Sequence, residues 1–149
     1  MVGTTRVISA GLIQPFQVIR TMTPALQHAV LAAKACDEFR GKEVVVLDLT
    51  AITAIFDYFI IATATSGRQM SAIAEEVHRV MKDIGSRRYG LEGQDSGSWL
   101  LQDYGDIVLH VFTEESRQTY DLEHLWGDAP QVDWKKLVAE LPVMESAEN

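Results

Sequence analysis

A chain of 149 residues with 47% apolar content is long enough for one well-packed domain and short for two. Its apolar stretches are broken by polar residues well before the ~18 needed to span a bilayer, and the lone Cys36 excludes an internal disulfide and a four-cysteine zinc site. The net charge of -8 is uneven: residues 1–88 hold 10 Lys and Arg against 8 Asp and Glu, whereas residues 89–149 hold 3 against 13, which disfavours bare nucleic acid as a partner of that half and suits a basic protein.

The first 22 residues carry no acid and only Arg6 and Arg20 as charges. Gly11, Gln14 and Pro15 cut the apolar run a signal peptide needs, and arginine is too sparse for an organelle presequence, so residues 1–22 are read as a disordered extension. The domain then begins at Thr23. "TPALQHAVLAAKACDEFRG" reads as a helix with Thr23 as N-cap and Pro24 in first position, carrying Leu26, Val30, Ala33 and Cys36 inward and stopping at Gly41. "EVVVLDL" and "FDYFIIATATS" are short, continuous, β-branched and aromatic runs, as buried strands are.

"SGRQMSAIAEEVHRVMKDIG" has Ser66 and Gln69 spaced as a capping box and an apolar stripe of Met70, Ile73, Ala74, Val77, Val80, Met81 and Ile84. A Glu75–Arg79 pair and His78 are expected on its wet face. "YGLEGQDSGS" reads as a short strand and a loop, and "SWLLQDYGDIVLHVF" as a hairpin turning on Tyr104 and Gly105. A two-residue loop there pairs Asp103 with Asp106, Leu101 with Val108 and Trp99 with His110; a bulge would slip the register. Leu100, Gln102, Ile107, Leu109 and Val111 form the better core face, leaving Trp99, Leu101, Val108, His110 and Phe112 on the other. A short helix capped by Thr113 follows, then Tyr120, Leu122, Leu125 and Trp126 among acids, then a last helix from Asp133 ending before Pro142 and a frayed tail. The domain is taken as 23–129, with 130–149 as a short helix and tail. The order αββαβββα points to a three-layer α/β domain with a mixed β-sheet.

Catalytic motifs are missing. There is no G-x-x-x-x-G-K-[ST], no G-x-G-x-x-G and no G-x-S-x-G, and "TSGRQ" is explained as a capped helix start without a ligand. Asp103, Asp106, His110 and His124 lack metal-site spacing, and turn aspartates ordinarily bond backbone amides. Asp121 and Glu123 stand one residue apart but follow a helix without a phosphate loop. Trp99, with apolar neighbours and a charged rim, instead has the composition of a protein-binding hot spot, with Tyr120 and Trp126 as a second aromatic cluster.

Leu26 to Ala129 resembles the ribosomal silencing factor family, also called Iojap-related proteins. The resemblance is carried by Asp48, "DYF" at Asp57–Phe59, "TS" with "RQ" through Gln69, "EG" at Glu92 and Gly93, then Trp99, "DYGD", "HVF", "YDLE" and "LWGDA" in order and spacing. It departs at "TAITAIF", where the family tends to a polar, glycine-containing loop. The resemblance implies a fold similar to nucleotidyltransferases without their catalytic residues, no enzyme activity and no cofactor. It also implies binding to the large ribosomal subunit through the ribosomal protein numbered fourteen, which blocks joining of the small subunit and represses translation in the cytoplasm. Trp99, Asp103, Asp106 and His110, then Tyr120 and Trp126, are the partner-binding residues this implies. Neither DNA nor a membrane is an expected partner, and a homodimer is expected when the protein is free; the alternative is a small nucleotidyl- or phosphoryl-transferase-like enzyme.

Overall fold

The computed structural model describes residues 22–142; the expectations for residues 1–21 and for the tail from 143 lie outside them. The elements, in chain order, are α1 (Pro24–Glu38), β1 (Lys42–Asp48), β2 (Tyr58–Thr63), α2 (Gly67–Asp83), β3 (Gly90–Glu92), β4 (Trp99–Asp103), β5 (Ile107–Phe112), α3 (Glu114–Tyr120), α4 (Leu122–Leu125) and α5 (Trp134–Val138). The strands form one mixed sheet in the order β1-β2-β5-β4-β3. Only the central β2–β5 pair is parallel. β2 and β5 are buried along their whole lengths, which is why their sequences read as unbroken apolar runs rather than as alternations.

Two cores result. On one face α1 and α2 pack through Val30, Ala33, Cys36, Ile73, Val77 and Met81 against alternate strand residues such as Ile60, Leu109 and Val111. The other face carries Leu47, Phe59, Ile61, Val108 and Phe112, covered among the described residues by no long helix but by Leu49 and Phe56 from the segment after β1 and by Leu122, Ala129 and the partly buried Trp126 from α4 and the segment after it. The second face is therefore the thinly covered one.

Helix starts follow the sequence. Leu26 donates its N–H to Thr23 Oγ1, and Gln69 to Ser66 Oγ. The return half of the capping box is different from expectation: Gln69 Oε1 accepts from the N–H of Thr65, at 2.6 Å, rather than from Ser66. Its Nε2 donates to Arg40 O at 2.8 Å, so one side chain joins the start of α2 to the end of α1. The Glu75–Arg79 pair is also corrected. Arg79 takes Glu76 in a two-pronged contact and Asp83 beyond it, because the fork geometry of a guanidinium is better matched by the carboxylate three residues back. His78 is half-buried rather than wet, since the hairpin end comes over this flank of α2 and brings Tyr104 Oη within 3.4 Å of its Nδ1.

The hairpin keeps the expected faces and shifts the pairing by two residues. Trp99 lies opposite Phe112, Leu101 opposite His110 and Asp103 opposite Val108. The turn centres on Gly105 and Asp106, with Tyr104 N–H bonded to Ile107 O and Gly105 at φ 89°, as a turn with glycine in first central position requires. Tyr104 is thereby released from the loop into the core. Its hydroxyl donates to Gln102 Oε1, and Gln102 Nε2 donates to Ala74 O, tying the hairpin to α2 through a buried polar relay.

The segment after α4 straps the outer edge of β1. Asp48 N–H bonds Pro130 O, Val132 N–H bonds Val46 O and the Trp134 indole donates to Val44 O. A row of strand groups that would otherwise be open is thus satisfied within the chain.

Candidate interaction surface

Trp99 is placed by the loop that precedes it. Gly93 has φ 80°, and a Cβ there would stand 2.0 Å from Trp99 O, so only glycine permits this approach of the two backbones. Ser96 closes the loop by donating to Gly93 O and accepting from Trp99 N–H. The "EG…W" spacing therefore has a mechanical cause. A cleft of about 180 Å³ lined by Glu92, Gly93, Trp99 and Leu101 opens beside the indole.

From Trp99 an aromatic row crosses the thinly covered face. The indole stacks on Phe112 with centroids 4.9 Å apart and meets Tyr120 at 4.6 Å; its Nε1–H donates to His110 Nδ1 at 3.2 Å. His110 packs edge-on with Phe59 at 4.6 Å, and Phe59 in turn meets Trp126 at 5.7 Å and Phe56 at 5.4 Å. The two aromatic clusters that spacing separates are one in space.

Within this row the residues divide by exposure. Tyr120 is 52% exposed. Trp99 and Trp126 are half-buried. His110 is only 4% exposed and lies beneath them as floor. Burial holds its imidazole down at about 4, so it is neutral at neutral pH, and acceptance at Nδ1 assigns the proton to Nε2.

Asp103 and Asp106 lie elsewhere, about 13 Å along the strands at ~3.3 Å per residue. Asp103 Oδ1 accepts the Gly105 N–H at 2.8 Å, a turn contact. Asp106 Oδ2 lies 2.8 Å from His28 Nδ1 on α1, on the helix-covered side. The six residues singled out by sequence thus form two groups, with the aromatic four together. Among the described residues no three His, Cys, Asp or Glu side chains gather in a way that would hold a metal ion. Cys36 is buried in α1, and burial pushes its thiol up to about 12, far from a reactive thiolate.

Arg117 is the supporting residue that sequence reasoning missed. It is 8% exposed, donates to Thr63 Oγ1 at 2.9 Å and to Glu123 Oε2 at 2.8 Å, and so binds α3 to β2 and to α4. Between the two helices Asp121 adopts φ 47°, and this break turns Tyr120 toward Trp99. The available signal was that Arg117 is the only Lys or Arg between Glu114 and His124.

Comparison with known proteins places this arrangement in company. Residues 22–149 match the family model described as "Ribosomal silencing factor during starvation". The chain is 42% identical over 103 residues to "Ribosomal silencing factor RsfS" of Bacillus subtilis, covering 69% of this chain and 87% of that one. The protein of the same name from Halalkalibacterium halodurans is 39% identical over 109 residues, 73% and 93% of the two chains. A crystal structure of a Chromobacterium violaceum protein superposes with a TM-score of 0.68 at 38% identity, covering 70% of this chain and 88% of that one.

Proposed function

Because the chain belongs to the ribosomal silencing factor family, we propose that it docks on the intersubunit face of the large ribosomal subunit, through the ribosomal protein numbered fourteen, and blocks joining of the small subunit by occupying that space. The observation that carries this reading is the Trp99–Tyr120 patch: an indole on β4 and a half-exposed phenol at the end of α3, in contact, in the acidic half of the chain. Aromatic anchors on a fixed scaffold lose little freedom on binding, and the surrounding acids suit a basic protein surface. Occlusion requires tight binding and no turnover. The protein works where ribosomes are, in the cytoplasm, and in their absence the same patch pairs two copies. On this reading the fold is similar to that of nucleotidyltransferases and lacks their chemistry.

The test is light scattering of purified small and large subunits mixed in Mg2+, with and without the protein preincubated on the large subunit. Loss of the association signal, with the protein sedimenting on the large subunit alone, is expected. An unchanged signal refutes the reading, and nucleotide binding would then be measured.

A further inference from the structure

The end of α2 and the loop before β3 carry charge opposite to that of the molecule as a whole. From Arg79 to Arg88 the chain has Arg79, Lys82, Arg87 and Arg88 against the single acid Asp83. Arg79 is engaged by Glu76 and Asp83. The ion pairs among the described residues leave Lys82, Arg87 and Arg88 unused. Cations without an acidic partner, on a chain of net charge -8, make a local positive surface.

Next to them stands Tyr89, 67% exposed, with Arg87 Cζ 5.3 Å from its ring centroid. The ring also lies against the hairpin turn, where a side chain at Gly105 would come within 3.3 Å of it. Tyr89 N–H is bonded to Asp103 O, which fixes the backbone beneath. On the other side a cleft of about 280 Å³ runs between α2 and the β3–β4 edge, lined by Ser71, Glu75, His78, Arg88 and Gln94 over Leu91 and Leu100. Arg88 and Lys82 both help to hold the His78 imidazole below its ordinary range, after burial, so their charge reaches the cleft.

We propose that Lys82, Arg87, Arg88 and Tyr89 form an RNA-binding surface that neutralises phosphodiester groups and stacks an unpaired base on the Tyr89–Arg87 unit. An acidic peptide would use the cations and leave the exposed ring idle; a nucleic-acid strand uses both, since every base has a face to stack. The choice of RNA rests on the ribosomal reading above. The surface lies at the turn end of β4, whereas Trp99 lies at the other end, so both can be engaged at once. With three cations in play it is a secondary contact rather than the main source of affinity.

The experiment is fluorescence anisotropy of a labelled unstructured RNA of about 12 nucleotides, titrated with the full chain at several salt concentrations. Saturable binding is expected, with a log–log salt slope of about -2 for three phosphates on a single strand and an affinity loss of at least about tenfold in Arg87→Ala/Arg88→Ala. Tyr89→Ala is expected to weaken binding while keeping that slope. Circular dichroism confirms that each variant is folded. Absence of binding at low salt, binding that the double substitution does not change, or equal displacement by polyglutamate would overturn the proposal, the last assigning the surface to an acidic protein. Because free RNA is used, failure here leaves the subunit-joining experiment undisturbed, and failure there leaves this one.

Discussion

The indole N–H of Trp99 donates to His110 Nδ1 at 3.2 Å, and the two residues are not direct cross-strand partners: Trp99 faces Phe112 and His110 faces Leu101. The bond is a diagonal one across the β4–β5 pair. It fixes the indole over the sheet and requires a neutral imidazole beneath, since a protonated Nδ1 has no lone pair to accept with.

That requirement makes the fold sensitive to acid. His110 is held at about 4 by burial and rises to its ordinary ~6.5 on unfolding, so below pH 6.5 the unfolded chain binds the extra proton. The associated stability is fully present above pH 6.5 and is lost as pH falls toward 4. The loss is at most about 3 kcal/mol, since each tenfold difference in proton affinity between folded and unfolded chains is worth ~1.4 kcal/mol. Compared from pH 7 to 4, the urea midpoint of the wild type should fall relative to that of His110→Leu. A difference independent of pH would show that the imidazole is not buried neutral.

Tyr120 separates binding from folding. Its ring is half-exposed, so Tyr120→Ala should weaken large-subunit binding by about 1 to 2 kcal/mol while shifting stability by less than ~1 kcal/mol. Trp99→Ala should cost about 2 kcal/mol or more of binding and also destabilise the fold, because the indole packs on Phe112 and Tyr120. Sedimentation with purified large subunits, paired with thermal melts, measures both. Wild-type binding by both variants would remove this patch from the interface.

Two glycines of similar backbone angle should respond differently to alanine. Gly85 has φ 81° with nothing within 4 Å of an added Cβ, so Gly85→Ala should cost about 1 kcal/mol of left-handed strain. Gly93, at φ 80°, adds a 2.0 Å collision with Trp99 O, and Gly93→Ala should cost roughly 3 kcal/mol or more and displace the indole. Denaturant unfolding followed by tryptophan fluorescence tests the pair; equal costs would mean the loop can move aside freely.

Arg117 is expected to behave as a clamp. Arg117→Ala leaves Thr63 and Glu123 without their donor and should destabilise by about 2 kcal/mol, the range for hydrogen bonds to a charged group. Arg117→Lys should restore only part of this, because an ammonium cannot span both partners as the fork does. Full rescue by lysine would reduce the role of Arg117 to charge alone.

What can be read from the sequence is whatever depends on neighbours along the chain. The caps at Thr23, Ser66, Thr113 and Asp133 and the stripe of α2 all depend on spacings of a few residues, and they stand as expected. The continuous runs of β2 and β5 mark central strands for the same reason. What cannot be read depends on residues far apart in sequence. His78 reads as wet because nothing near it in sequence announces Tyr104, 26 residues on. Asp106 reads as a turn residue on the Trp99 side of the hairpin, yet its partner is His28, 78 residues earlier, on the helix-covered side. Tyr104 reads as a turn residue because a glycine suits either central position of a hairpin loop, and the choice is made by burial against α2 rather than by the dipeptide. The aromatic residues of the site are legible as residue types. That Tyr120 joins Trp99 is not, because it depends on the left-handed break at Asp121 and the grip of Arg117.

The strap over β1 also governs how copies of this molecule can meet. With one sheet margin stitched by Pro130, Val132 and Trp134, and the other ended by the three-residue β3, the sheet offers almost no backbone template on which a second chain could extend it. Any association of two copies would then proceed through side chains, whose contacts are reversible and open to competition. If two copies pair through side chains, as proposed above, that pairing is surrendered to a better partner without unfolding anything, whereas a chain cut before Pro130 would bare the margin of β1 to strand stacking.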